Sequence, residues 1–226
     1  IKANAYGLGS QKIFDTLCKI GCRHFFVATI EEAFSIKIKH KNIKIYVLNG
    51  IQNYNLKIFK NKNIIPIINS KEEFKIIRNK KIEFGIHFDT GINRLGIHHK
   101  EITNMYLNNN ITLVMSHLSS SDEKYNSYNN SQKLRFLDII KKYNKKNIIF
   151  SLSNSNGAIL NNSYLFHMVR PGIGLYGGHD KLNLKKYIKP VVNFKGKIIQ
   201  IKKIYKNEYI GYNQTLKTKK TILAAI

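Results

Sequence analysis

The sequence predicts a (β/α)8 TIM barrel from three observations: strand-like runs recur at steady intervals, helix-like segments alternate with them, and polar residues follow the strands. The runs are nearly continuously apolar and rich in Ile and Val, as is typical of strands buried on both faces. The strand candidates are 24–30, 43–49, 64–69, 83–89, 111–118, 147–153 and 167–176. The helix candidates with helical spacing of apolar residues are 11–21, 31–40, 71–81 and 124–143.

Alternation of strands and helices indicates a parallel sheet with right-handed crossovers. Seven strands are countable, and Ile1-Lys2 is interpreted as the end of a clipped first strand, which makes eight β/α units. An open doubly wound sheet is the competing architecture. No strand is followed by a G-x-G-x-x-G fingerprint that opens a helix: the run at 172–177 overlaps the last strand candidate, and helix-like segments stop there. This favours the barrel.

The pattern changes after Gly178, where helix-like segments stop. Segments 190–204, 208–212 and 221–226 have strand character with turns between them. The sequence therefore predicts a barrel domain over residues 1–178 and the incomplete start of a β-rich second domain over residues 179–226.

The charge balance is strongly basic, with 38 Lys plus Arg against 13 Asp plus Glu and a formal net charge of +25. Such a charge is typical of nucleic-acid binding proteins. However, Asn and Ile are abundant alongside dispersed lysines, and no zinc-finger spacing or tight basic tract is present. We therefore attribute the charge to compositional drift in an AT-rich genome and expect no nucleic-acid partner.

The sequence contains no membrane span and no metal-binding motif. No run approaches the ~18 uninterrupted apolar residues of a membrane span, so we expect no membrane partner. Cys18 and Cys22 lie four residues apart, and no further Cys completes a metal site or disulfide framework. We expect two helix residues facing the core, no metal and a cytoplasmic location.

Polar residues fall at the predicted strand ends, where the functional groups of a barrel lie. Each one alone would usually be an ordinary loop residue, but their coincidence predicts a site. They are Lys2, Asp89, Thr90, Arg94, Ser116, His117, Asn154, Ser155, Arg170 and Gly172.

The motifs around these residues resemble those of bacterial alanine racemases, which use pyridoxal 5′-phosphate. "IKANAYGLG" from Ile1 is similar to the family's cofactor-lysine motif. Further blocks follow in the family's order: "DTGINRLGI" from Asp89, "SHLSSSDE" from Ser116, "SNSNGAIL" from Ser153 and "VRPGIGLYG" from Val169. The terminal "IGYNQTLKTKKTILAAI" resembles the stretch that leads into the family's second domain. The resemblance covers essentially the whole chain.

The resemblance implies that Lys2 forms the internal Schiff base with the cofactor and exchanges the α-proton of the substrate on one face. An amine serves as a base only when its pKa falls toward neutrality, through partial burial and nearby cations. Arg94 and Arg170 are the candidate cations. Arg94 is also implied to contact the cofactor's phenolic oxygen and the substrate, and Leu48 to pack against the ring.

For the phosphate, the resemblance implies contacts from Tyr6, Ser155 and the backbone of Gly172 and Ile173. Neutral hydroxyls and backbone N–H groups can bind such an anion. Arg170 is implied to face the pyridine nitrogen, with His117 as its hydrogen-bonded neighbour. A permanent guanidinium charge there disfavours protonation of the nitrogen and limits side reactions.

Two departures from the family pattern are visible. Several members carry a carbamylated lysine just before the "DTG" block, where this chain has His87. The family's second acid–base group is a tyrosine from the second domain of a partner subunit, and Tyr209 and Tyr212 lie too early in the chain to be it. The loss of one such group typically lowers a rate by about 10²–10⁴.

The resemblance implies an alanine racemase of the bacterial cytoplasm, a homodimer that supplies D-alanine for peptidoglycan. Three alternatives remain open on the sequence: a barrel that binds the cofactor without turnover, a racemase of broader specificity, and a decayed copy. Decay is disfavoured by the intact residues Lys2, Tyr6, Arg94, His117, Ser155 and Arg170.

Overall fold

The computed structural model describes residues 1–52, 56–60, 63–103, 108–143, 147–178 and 188–226. The chain divides into two compact units, Ile1–Val191 and Val192–Ile226. In the first unit the helices are α1 (Lys2–Tyr6), α2 (Ser10–Lys19), α3 (Ile30–Ser35), α4 (Lys71–Ile77) and α5 (Ser127–Ile140). Its strands are β1 (His24–Val27), β2 (Lys44–Val47), β3 (Ile64–Ile68), β4 (Phe84–Asp89), β5 (Ile97–His98), β6 (Ile111–Met115) and β7 (Ile149–Ser151). Short 3-10 helices span Leu56–Lys60, His99–Glu101, Gly157–Ile159, Asn162–Tyr164 and Ile173–Tyr176.

A parallel sheet is the frame of the first unit. Its strands hydrogen-bond in the order β1-β2-β3-β4-β6-β7, every neighbouring pair is parallel, and the two-residue β5 pairs with β4. All six long strand predictions from 24–30 to 147–153 are confirmed in place, each with a shorter span. Because the strands are parallel, their carboxyl ends lie at one edge of the sheet and bring the loops that follow them together.

The sheet is buried on both faces by side chains that alternate along each strand. On one side lies a small cluster built around Tyr46, Ile65, Ile67, Leu113 and Met115. The other face packs into a larger cluster that includes the helix residues Phe14, Phe74 and Phe136. A separate cluster on the concave side is the arrangement expected inside a barrel, where side chains from the strands fill the centre.

The first and eighth strands of the prediction do not form, which is a correction. Ile1 donates from its nitrogen to Phe26 O at 3.0 Å, but Lys2 already belongs to α1. The segment predicted as strand 167–176 runs beside β7, with Arg170 N donating to Ser153 O at 2.9 Å, and ends in a 3-10 helix. Within the described residues, segment 167–176 belongs to no strand pair of the sheet. Pro171 also lacks the N–H that a strand would need.

Helix starts follow from capping side chains. Thr29 accepts a hydrogen bond from Glu32 N at the start of α3, and Ser70 accepts one from Glu73 N at the start of α4. The four predicted helices are confirmed in place and are shorter than the apolar pattern suggested. Within the described ranges, no helix is long and apolar enough to cross a membrane.

The second unit consists of two antiparallel strand pairs. Strand β8 (Ile201–Ile204) pairs with β11 (Ile222–Ala225), and β9 (Tyr209–Ile210) pairs with β10 (Leu216–Lys217). A 3-10 helix spans Tyr212–Gln214. The predicted strand character after residue 200 is confirmed, whereas residues 190–200 form no strand. Residues 179–187, at the predicted domain boundary, lie outside the described residues.

Candidate active site

The loops after β4, β6 and β7 carry most of the sequence-predicted site residues, together with segment 167–172. Asp89 is the last residue of β4, and Ser116 and His117 directly follow β6. Ser155 lies in the loop after β7. The parallel sheet therefore collects these residues at its carboxyl edge, as the sequence predicted.

Arg170 is the most firmly held of the predicted cations. Its guanidinium donates hydrogen bonds to Ser151 Oγ and Ser116 O, and at 3.3 Å to Leu152 O. Its Cζ lies 5.9 Å from the centroid of the Phe26 ring. Burial lowers the pKa of Arg170 to about 10, so the side chain stays charged at neutral pH. The fold thus presents a fixed positive charge at the carboxyl edge of the sheet.

His117 lies beside Arg170, as predicted. Arg170 Nη2 donates to His117 Nδ1 at 3.3 Å. Because a guanidinium only donates, Nδ1 must be the acceptor, and the imidazole proton is therefore on Nε2. Burial, then the charges of Arg170 and Arg94, lower the pKa of His117 to about 3. The imidazole is neutral at physiological pH and aligned by the arginine.

His87, which the sequence analysis placed where several racemases carry a carbamylated lysine, lies in β4. It is only 4% exposed, and its Nδ1 lies 3.1 Å from Asn69 Oδ1. The Asn69 amide is oriented because Nδ2 donates to Leu48 O and to Ile67 O. Among the described residues, His87 Nε2 has no hydrogen-bond partner. Burial, then Arg170, lower the pKa of His87 to about 3, so this residue is also neutral.

The predicted phosphate contacts come together at the loop after Pro171. Ser155 is 8% exposed, and its Oγ accepts hydrogen bonds from Gly172 N at 2.9 Å and Gly174 N at 3.1 Å. A Cβ on Gly172 would lie 2.6 Å from the hydroxyl oxygen of Tyr6, so only glycine leaves this space open. Ile173 begins the 3-10 helix that follows. Two hydroxyls and two backbone N–H groups in such a cradle fit a phosphate group.

Lys2 and Tyr6 extend from a turn with an unusual backbone. Ala3, Asn4, Ala5 and Tyr6 all have φ between 50° and 58°. Left-handed conformation costs an L-residue roughly 1–2 kcal/mol, so four in succession need outside support. Lys2 is exposed, and its Nζ lies 6.0 Å from the centroid of the Tyr6 ring. The turn therefore places the predicted cofactor lysine and the predicted phosphate-binding tyrosine close together.

Arg94 and Leu48 are placed less firmly. The loop after β4 is shaped by Asp89 Oδ1, which accepts from Gly91 N at 2.7 Å and Ile92 N at 2.9 Å. Arg94 is exposed, and within the described part of the chain no hydrogen bond fixes its guanidinium. Leu48 follows β2 and packs partly buried against the concave cluster. Both lie at the predicted strand ends.

Sequence reasoning missed two polar residues that organise the site. Ser151 accepts from Arg170 and donates to Met168 O at 2.8 Å, linking β7 to the next segment. Glu32 accepts from Ala3 N at 2.7 Å and holds the turn after Lys2. Ser151 is a polar residue inside an apolar strand, a signal that was available in the sequence. Glu32 resembles any acidic residue at a helix start.

The fold and site define a β/α-barrel protein with an anion cradle and a fixed cation at the carboxyl edge of its strands. The sequence model of the family described as "Alanine racemase, N-terminal domain" matches residues 1–180, and the chain belongs to this family. Its alanine racemase relatives include that of Rickettsia bellii, 36% identical over all of this chain and 58% of the relative. The relative from Rickettsia canadensis is 34% identical over all of this chain and 65% of its own length.

Solved structures agree with this placement. Alanine racemase from Bartonella henselae, described with covalently bound pyridoxal phosphate, matches with a TM-score of 0.83 and 31% identity. The match covers 99% of this chain and 66% of that chain. Alanine racemase from Streptomyces coelicolor shares the fold with a TM-score of 0.85 at 16% identity. The predicted barrel class is thereby confirmed, and the chain spans about 58–65% of the length of the curated relatives named above.

Proposed function

We propose that the whole protein is a pyridoxal-phosphate-dependent alanine racemase, and that residues 1–178 are its cofactor-binding barrel. Residues 179–226 would begin its β-rich second domain. The observation that carries this proposal is the convergence of Lys2, Tyr6, Ser155 and Arg170 at one edge of a racemase-family barrel. The family match, which ends at residue 180, and the separate unit that begins at Val192 support the division.

The residues of the cradle fit the cofactor's phosphate. Tyr6 and Ser155 would donate from their hydroxyls, and Ile173 from its backbone N–H. The Gly172 N–H, which donates to Ser155 Oγ, would be shared between that oxygen and the phosphate. Ser155 Oγ already accepts two N–H donors, which leaves its own hydrogen as the group to donate. Leu48 would pack against the ring, and Arg94 would contact the phenolic oxygen and the substrate carboxylate.

Pyridoxal phosphate supplies the electron-withdrawing system that makes the α-hydrogen of a bound amino acid removable. Lys2 Nζ would hold the cofactor and then take or return the α-proton on one face of the substrate. Arg170, held by Ser116 and Ser151, would face the ring nitrogen and keep it unprotonated, because two adjacent positive charges repel. His117 would accept a hydrogen bond from Arg170 as a neutral imidazole, so it would orient the guanidinium without neutralising its positive charge.

Exchange of configuration needs a second acid–base group on the opposite face of the substrate. We propose that a tyrosine from the second domain of a partner subunit supplies it in a homodimer. D-alanine for peptidoglycan, made in the bacterial cytoplasm, is the product consistent with this activity. Residues 1–226 alone would bind the cofactor better than they would racemise alanine.

The decisive experiment compares Lys2→Ala with Lys12→Ala, an exposed lysine of α2. The chain is incubated with equimolar pyridoxal phosphate and reduced with borohydride, which fixes the cofactor to the amine that holds it. We expect one cofactor mass on the peptide of Lys2, no such label in Lys2→Ala and an unchanged label in Lys12→Ala. Equal labelling of many lysines, with no loss in Lys2→Ala, would refute the proposal.

Turnover is tested separately by incubation of the loaded chain with L-alanine in deuterated water. Deuterium at the α-carbon without formation of D-alanine would show that Lys2 works and that the second group is missing. Label at Lys2 with no exchange at all would favour the cofactor-binding barrel without catalysis.

A further inference from the structure

The carboxylate of Glu32 joins two segments that are far apart in sequence. Its Oε1 accepts a hydrogen bond from Ala3 N at 2.7 Å, and its Oε2 accepts one from Ala28 N at 2.7 Å. Ala28 directly follows β1, and Ala3 directly follows Lys2. One half-buried side chain therefore ties the turn that carries the lysine to the end of a sheet strand. Both bonds are charge-assisted and short.

Glu32 itself is fixed in place. It lies in the first turn of α3, where its own N–H donates to Thr29 Oγ1 at 3.4 Å. The carboxylate therefore extends from the first turn of a helix that is capped by Thr29, and Ile30 and Ala33 in the same helix are buried. A rigid support of this kind can hold a conformation that the turn would not adopt by itself.

The turn needs such support because its backbone is left-handed at four successive residues, none of them glycine. Lys2 lies between two anchors: Ile1 N donates to Phe26 O at 3.0 Å, and Ala3 N donates to Glu32. These bonds fix the backbone on both sides of Lys2, while its side chain stays exposed. Farther along, Asn4 Oδ1 accepts from Ser10 N at 2.8 Å and closes the turn.

The geometry points to Glu32 as a positioning residue that holds the Lys2–Tyr6 turn in its left-handed form, so that the Lys2 amine and the Tyr6 hydroxyl face one ligand. This inference rests on the proposed function for the identity of that ligand. The carboxylate does not touch the reacting atoms, and its effect passes through the backbone of Ala3. A carboxamide could not replace it, because its NH2 group would face one of the two backbone N–H donors and cannot accept from it.

The test compares Glu32→Gln with Glu31→Gln, which removes the same charge one residue away on the same helical turn. In the cofactor-free chain, hydrogen exchange at Ala3 and Ala28 should quicken roughly tenfold in Glu32→Gln, as expected for loss of charged hydrogen bonds, and stay within about twofold in Glu31→Gln. Covalent loading of Lys2 by pyridoxal phosphate should slow by roughly tenfold in Glu32→Gln alone.

A rescue variant separates positioning from general damage to the fold. Glycine adopts positive φ without steric cost, so Ala3→Gly should reduce the need for the carboxylate. In Glu32→Gln with Ala3→Gly, loading should recover by about threefold or more relative to Glu32→Gln, even though the hydrogen bond is still absent. Circular dichroism of each variant verifies that the sheet is folded.

Each outcome decides one of the two ideas. Suppose that pyridoxal phosphate attaches to Lys2 equally fast in the wild-type chain and in Glu32→Gln, and that amide exchange is the same in both. The positioning role is then wrong and the proposed function stands. Slow loading with no rescue by Ala3→Gly would also overturn it. If the wild-type chain takes up no cofactor, the proposed function fails. Amide exchange at Ala3 that is the same in Glu32→Gln as in the wild-type chain would then refute the positioning role as well.

Discussion

The candidate site has two parts that differ in how firmly their side chains are held. In the held part, Arg170, His117 and Ser155 have hydrogen-bond partners within the barrel. In the open part, Lys2 and Arg94 are exposed, and only the backbone near Lys2 is anchored. The held part would bind the groups of a cofactor that do not change, and the open part would act where bonds change.

The largest effect should come from Arg170→Ala compared with Arg94→Ala. Removal of the Arg170 guanidinium leaves Ser116 O, Leu152 O and Ser151 Oγ without their donor. We expect a loss of about 3–5 kcal/mol in the free energy of unfolding, because a buried acceptor left without its donor costs about 1–3 kcal/mol. Arg94→Ala should change it by at most about 0.5 kcal/mol, because exposed side chains contribute little. Denaturant titration measures the unfolding free energy of both variants. Equal losses of unfolding free energy would contradict the distinction between the held and the open part.

A smaller effect is expected from pH, through the buried His87 and His117. Each pKa is lowered from the ordinary value of 6.5 to about 3, so the unfolded chain binds a proton first as the pH falls. Their contribution to stability is complete above pH 6.5 and is lost progressively as the pH falls toward 3. Between about pH 6 and 4.5 each should lower the unfolding free energy by about 1.4 kcal/mol per pH unit.

The pH dependence is assigned by substitution. His87→Gln should flatten the slope of unfolding free energy against pH, whereas His98→Gln, at an exposed histidine, should leave it unchanged. Denaturant midpoints across that pH range provide the measurement. An identical slope in both variants would mean that His87 is not buried in its neutral form.

The smallest effect is expected from Ser155→Ala at the phosphate cradle. Gly172 N and Gly174 N lose their acceptor, and the bound phosphate loses a hydroxyl donor. We expect the Kd for pyridoxal phosphate to rise roughly tenfold, the value of one or two hydrogen bonds. Ser153→Ala is the matched control, because Ser153 donates to Tyr164 O at 2.7 Å and not to the cradle. Fluorescence titration that gave equal Kd values for the two variants would place the phosphate elsewhere.

Much of the site could be predicted from the sequence because its residues follow strands. Ser116, His117 and Ser155 come directly after apolar runs, and parallel strands must bring such positions to one edge. The contact between Arg170 and His117 was also expected and is present at 3.3 Å. What could not be predicted was the support, because its partners are distant in sequence. Ser151 accepts from the Arg170 side chain 19 residues away, and Glu32 accepts from the Ala3 backbone 29 residues away.

The sequence by itself determined the order of strands and helices, the end of the sheet that carries function and the residues that line it, because periodicity and strand ends are local properties. Tertiary structure alone decided which polar groups are paired and which stay free. It placed segment 167–176 beside β7, and it bent the Lys2–Tyr6 turn into a left-handed form. Those outcomes depend on hydrogen bonds between distant segments, such as Ala3 N to Glu32, whose geometry exists only after the sheet has brought the segments together.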